Sequence, residues 1–213
     1  MSLILKNGAI LTNEELFAIP VDGAGWRVLP DGNGASIGDW ASIGDWARIG
    51  NGARIGDGAR IGNGASIGDW ARIGNGARIG NGASIGNGAR IGNGARIGNG
   101  ARIGDEARIG DWASIGNGAR IGDGARIGNG ASFQKSPLAV QGTRHLVTQH
   151  STGKIAVGCE VHTNEEWLAN FREIGKKNGY TEAEIEEYGK ILRFVVENGV
   201  EVGVVEPSVA AER

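Results

Sequence analysis

Ala71-Arg72-Ile73-Gly74-Asn75-Gly76 is followed without a break by Ala77-Arg78-Ile79-Gly80-Asn81-Gly82, and these twelve residues decide the fold. Working outward, the same hexad recurs sixteen times from Ala35 to Gly130 with no insertion. Its first position is always Ala, its third always Ile and its fourth always Gly. The second is Arg or Ser, the fifth Asn or Asp, and the sixth Gly, Trp or Glu. A helix needs apolar residues about every 3.6 positions, and each interior glycine would cost it about 1 kcal/mol. In a strand alternate residues share a face, so Ala and Ile point one way and Arg or Ser the other. Gly-Asn-Gly is turn chemistry, because both residue types accept positive φ cheaply. Each hexad therefore reads as a short strand plus a bend. Such a strand cannot bury enough surface alone, so successive units must stack on a shared core.

Written from the isoleucine, the unit is Ile-Gly-x-x-Ala-x. It resembles the hexapeptide repeat of left-handed parallel β-helices, as in the hexapeptide-repeat acyltransferases and the gamma-class carbonic anhydrases. The resemblance implies a mainly β chain built as a triangular solenoid, three hexads or 18 residues per coil. Sixteen hexads then make about five and a third coils, roughly 25 Å tall at the usual strand spacing. Left-handedness is implied by the family alone, since parallel crossovers are otherwise right-handed.

Composition narrows the classes that remain. The chain has 213 residues, 40 of them glycine, with 4 prolines and a single cysteine. Glycine does not fall on every third position, which excludes collagen. Cys159 has no partner in the chain, which excludes a disulfide scaffold. No apolar run of about 18 residues predicts a transmembrane helix. The start, MSLILKNGAILTNEE, is a poor signal peptide, so a cytoplasmic setting is the default expectation. With 22 basic and 24 acidic residues, neither nucleic acid nor a membrane is an expected partner.

At 18 residues per coil, the outward positions form three ladders. One runs Ser36, Arg54, Arg72, Arg90, Arg108, Arg126; a second Ser42, Arg60, Arg78, Arg96, Ser114; a third Arg48, Ser66, Ser84, Arg102, Arg120. A solvated, solubilising wall is the plain reading, and a polyanion-binding face is the sharper alternative. Trp40, Trp46, Trp70 and Trp112 replace turn glycines at outward corners, where an interface or an incidental role is expected.

The ends read differently. Residues 1–34 are expected to be an N-terminal β cap, with a hairpin around Asn7-Gly8 and apolar cover from Phe17, Ile19, Val21 and Trp26. Residues 35–132 form the regular solenoid. Residues 133–213 are expected to be a C-terminal cap. Within it, Val157-Gly158-Cys159-Glu160-Val161-His162 fits the hexad pattern and predicts a final partial coil. Thr163 with Glu166, and Thr181 with Glu184, are capping boxes that open two amphipathic helices. The pair makes an α-helical hairpin whose apolar face is expected on the end or flank of the solenoid. Val200 to Arg213 are expected to extend a strand and then fray. The stretch from Gly158-Cys159 to Asn198-Gly199 is also similar to C-terminal regions of uncharacterised bacterial hexapeptide-repeat-like proteins, which implies no activity.

For function, the family resemblance implies a trimer and, in its acyltransferases, a histidine base in a cleft between solenoids. The carbonic anhydrases imply three zinc-binding histidines on the coils. No histidine occurs from Ala35 to Ser132, and no loop interrupts the hexads. The expectation is therefore a non-catalytic structural scaffold, on near-perfect repeats that suggest a consensus design, with no catalytic, cofactor or metal residue and no cofactor. The alternatives are an acyltransferase-like enzyme or a ligand-binding surface. The chemistry-bearing residues outside the repeats are His145, His150, Cys159 and His162: the histidines are weighed as structural, as zinc ligands or as a catalytic base, and Cys159 as a zinc ligand or as a small core residue rather than a nucleophile.

Overall fold

The computed structural model describes residues 2–4, 10–20, 26–29, 34–200 and 203–204. The hexads wind as stacked triangular coils. Each contributes a short strand, Arg-Ile or Ser-Ile and in the first hexad Ser36–Gly38, and a two-residue corner, and strands 18 positions apart pair in parallel. Ile73 pairs with Ile55 below and Ile91 above, and the three ladders read from the sequence are the outer faces of three sheets. Every hexad Ala and Ile is buried, with exposures from 0 to 3 %. Burying an isoleucine side chain contributes about 1.5–3 kcal/mol, so the column of isoleucines is the main driving force.

The other positions answer to the corner. The Asn or Asp side chain at position five accepts a hydrogen bond from the backbone N–H of the equivalent residue one coil earlier. This ladder runs unbroken from Asp39 to Asn129 at 2.7–3.0 Å. That contact requires close approach of successive corners, and position four makes room for it. A Cβ on Gly80 would stand 2.5 Å from the backbone nitrogen of Asn99. Position six is glycine for a different reason: it is left-handed, as at Gly82 with φ +63°. The four corner tryptophans and Glu106 adopt the same conformation, φ 56–62°, where an L residue is strained. The rings of Trp70 and Trp112 lie over Gly52 and Gly94 of the preceding coil.

At the N-terminal end, Ser2–Ile4 and Ile10–Thr12 form the expected antiparallel hairpin, which continues one wall through Ile4 and Arg48. Its turn at Asn7-Gly8 lies outside the described residues, as do Val21 and the side chains of Phe17 and Trp26. Ile19 packs on the solenoid core as expected. A short helix not anticipated, α1 (Asn13–Ala18), opens on a capping box between Thr12 and Glu15, and buries Leu16.

At the other end Phe133, fully buried, takes an isoleucine's place opposite Ile115. The expected partial coil is not formed. Residues Val157 to His162 belong instead to an antiparallel four-stranded sheet of Ala139–Gln141, Leu146–Ser151, Lys154–Val157 and Glu160–Thr163. Gly158, at φ +58°, sits in the tight turn of its last hairpin. A single hexad match had no in-register neighbour to stack on, whereas hairpin pairing satisfied its backbone locally. The Leu146–Ser151 strand joins the two parts. Leu146 packs on the solenoid core, and Val147 faces the other way into a second core. The helices form as read: α2 (Asn164–Lys177) and α3 (Glu182–Asn198), each with its complete capping box. Their apolar face is Trp167, Tyr188, Leu192 and Val195, and it packs on the sheet rather than directly on the coils. Gly203–Val204 adds a short antiparallel strand beside Ala131–Phe133, and the residues from 205 onward lie outside the description.

Candidate functional site

The chemistry-bearing side chains lie on the terminal sheet, and the fold spreads them apart. Among the described residues no three histidine, cysteine or acidic side chains converge as a metal site, so His145, His150, Cys159 and His162 are not one ligand set.

His162 is held between carboxylates. Its Nε2 is 3.1 Å from Glu160 Oε2 and its Nδ1 3.9 Å from Glu166 Oε2. The ring stands edge-on to Trp167, whose indole N–H donates to the carbonyl of Ile155 at 2.8 Å. Both nitrogens of this imidazole therefore face carboxylates.

His145 sits at a tight turn locked by α3. The Tyr188 hydroxyl accepts from the backbone N–H groups of Arg144 and His145, and donates to the His145 carbonyl. Arg144 pairs with Glu184 at 2.7 Å and lies over the Tyr180 ring. His145, Cys159, Glu160 and Tyr180 line a cleft between sheet and helices of about 120 Å³. Ligand pockets for cofactor-sized molecules run about 300–1,000 Å³, so this cleft admits only a small group.

His150 is the one histidine laid against the solenoid itself. Its carbonyl accepts from the N–H of Gly128 at 2.8 Å, which ties the Leu146–Ser151 strand to the coil that carries Arg126. Its imidazole packs on Gly128, where a Cβ would meet the ring at 2.5 Å. Burial holds its pKa below the usual histidine value, and the positive charges of Lys154 and Arg126 push the same way. Both effects favour the neutral ring, and Ser151 Oγ lies 3.4 Å from Nδ1. The sequence named His150 but gave no sign that Arg126 and Lys154 would flank it. That grouping depends on the Leu146–Ser151 strand joining the wall.

The repeat region settles the family. Residues 52–87, 71–104 and 100–134 match the model of the bacterial transferase hexapeptide (six repeats). The solenoid belongs to the hexapeptide-repeat left-handed β-helix family. This match corrects the expectation of a non-catalytic chain, because the repeat matched is that of a bacterial transferase family. One solved structure it resembles is a perosamine N-acetyltransferase from Caulobacter crescentus, solved with CoA and GDP-perosamine: 22 % identity, 50 % of this chain and 51 % of that one, TM-score 0.43. Another is a UDP-N-acetylglucosamine acyltransferase from Bacteroides fragilis: 14 % identity, 80 % and 78 % of the two chains, TM-score 0.37. A third is the acetyltransferase domain of a Neisseria gonorrhoeae protein solved with acetyl coenzyme A: 22 % identity, 48 % and 47 %, TM-score 0.26. The match to the Caulobacter enzyme spans about half of that chain's length. No curated protein sequence matches. Among the described residues no helix is long and apolar enough to cross a membrane.

Proposed function

We propose that this hexapeptide-repeat protein transfers an acyl group from a thioester to a hydroxyl or amine acceptor, with His150 as the general base. The observation that carries the reading is an imidazole packed on the solenoid at Gly128, on the coil that carries Arg126. A base must be unprotonated to work, and the burial and neighbouring charges of His150 favour that form. His162 is taken up by Glu160 and Glu166, and His145 faces a small cleft, so neither matches as well.

In the proposed step the acceptor oxygen or nitrogen forms a bond to the thioester carbonyl carbon as His150 takes its proton. The carbonyl oxygen becomes an oxyanion, which Arg126 or Lys154 stabilises by charge. The C–S bond then breaks, and the thiolate leaves as a thiol with the proton returned from His150. A trimer, as the resemblance implies, would bring a second wall beside this one.

The test is release of free thiol from acetyl-CoA in the presence of a panel of hydroxyl and amine acceptors. Acceptor-dependent release is expected, falling about 10²–10⁴-fold in His150→Asn. Absence of release with every acceptor, or release that survives His150→Asn, overturns the proposal. Light scattering checks the trimer.

A further inference from the structure

The three walls carry similar arginines, but they are not electrostatically alike. Between Trp70 and Gly104 the chain contains no acidic residue, and the fold concentrates the consequence on one face. On the wall of Arg60, Arg78 and Arg96 these three side chains stand in register on adjacent strands, about 4.8 Å apart at the backbone. Corners flanking Arg78 and Arg96 are Asn75, Asn81, Asn93 and Asn99. Each arginine of the other walls except Arg90 has an Asp corner beside it, and Arg108 has Asp105, Glu106 and Asp111. Among the described residues Arg60, Arg78 and Arg96 are exposed and form no ion pair.

This wall also holds a groove. It is lined by the three arginines and closed at the C-terminal end by Ser114, Asn117 and Gln134. The position-four glycines Gly62, Gly80 and Gly98 keep its floor low. No aromatic side chain lines it. A groove for single-stranded nucleic acid would need stacking platforms for the bases. What it offers is a straight row of guanidiniums, each a planar fork suited to paired oxyanion oxygens.

We infer that this groove binds a linear, unbranched polyanion without stacking groups, of the inorganic polyphosphate type, laid along the solenoid axis. The inference is independent of the reading of His150, which lies on a different wall.

Isothermal titration calorimetry of the full chain with medium-chain inorganic polyphosphate tests it. Arg78→Ser/Arg96→Ser is the decisive variant, because Ser66, Ser84 and Ser114 already occupy the same repeat position, so the coil tolerates serine there. The control is Arg48→Ser/Arg120→Ser, which removes the same charge from the wall flanked by Asp45 and Asp123. Wild type is expected to bind, and binding is expected to weaken with added salt. The decisive variant should lose about tenfold or more in affinity and the control about twofold or less. No binding by wild type, or equal losses in both variants, overturns the inference. So does tighter binding of a single-stranded oligonucleotide than of polyphosphate.

Discussion

Gly80 and Gly82 are two residues apart in one hexad, yet the structure makes them glycine for unrelated reasons, and alanine at each should show it. At Gly80 the backbone conformation is ordinary and the obstacle is the next coil. An alanine Cβ would stand 2.5 Å from the nitrogen of Asn99 and 2.6 Å from the carbonyl carbon of Gly98. Reaching an ordinary contact of 3.4 Å requires the coils to part by about 0.9 Å at that corner. The bonds from Gly80 N–H to the Ile97 carbonyl and from Asn81 N–H to Asn99 Oδ1, both 2.8 Å, lie in the path of that movement. Overpacking costs about 1–3 kcal/mol, and each weakened hydrogen bond about 1 more, so Gly80→Ala should lose about 3–5 kcal/mol. At Gly82 there is open space but φ is +63°. The left-handed conformation costs alanine about 1–2 kcal/mol, partly offset by about 0.4–1 kcal/mol from a less flexible unfolded chain. The net loss should be about 1 kcal/mol. For a chain of this size 1 kcal/mol shifts Tm by about 2–4 °C. Thermal melts by circular dichroism should therefore show a fall of about 6–20 °C for Gly80→Ala and about 2–4 °C for Gly82→Ala. A Gly82→Ala variant as damaged as Gly80→Ala would refute the close approach of the coils as the reason for position four.

Ile85→Ala, in mid-stack and 2 % exposed, should cost about 2–5 kcal/mol in chemical denaturation, and a loss below about 1 kcal/mol would contradict its inward packing. Trp40→Gly should raise Tm by a few degrees, since an 87 % exposed ring gives little back for a φ of +60°. His150, its folded pKa held below the ordinary 6.5 by burial, should titrate below that value by NMR. Because the unfolded chain binds that proton more readily, its contribution is complete above pH 6.5 and is lost as pH falls through the interval down to the folded pKa. Stability should therefore begin to fall below pH 6.5. That upper step should vanish in His150→Gln, while a later acid step remains as Glu166 and Glu184 lose the capping bonds that hold their pKa values down.

The solenoid was legible because one rule acts sixteen times. Ala and Ile on one face and a bend after each strand follow from period and side-chain size. The coil contact at position four and the ladder of position-five side chains emerged only with the winding, since positive φ in the hexads falls at position six rather than at four or five. Both long helices were legible too, since Thr163 with Glu166 and Thr181 with Glu184 fix their starts locally. What failed was the reading of Val157 to His162 as another coil. A lone hexad has the same alternation as a hairpin strand, and only its partner Lys154–Val157 decides between them. The helix face on Ile185, Tyr188 and Leu192 was read correctly, but its partner was not, because the consecutive hairpin strands of the four-stranded sheet lie outside the repeat and the sequence reading did not place them. The surroundings of His150 were hidden for the same reason. Arg126 and Lys154 reach it only once the Leu146–Ser151 strand has joined the wall. Nor did the sequence reading anticipate that the corner tryptophans are left-handed, a strain visible only once the winding is known.

The winding itself is tested by the distance between spin labels placed at Arg54→Cys and Arg126→Cys in a Cys159→Ser background. These positions share one wall and are joined by four successive rungs through Arg72, Arg90 and Arg108. Pulsed electron paramagnetic resonance should find a backbone separation of about 19 Å, four strand spacings. A separation near 29 Å, which a twelve-residue coil would give, contradicts three hexads per turn.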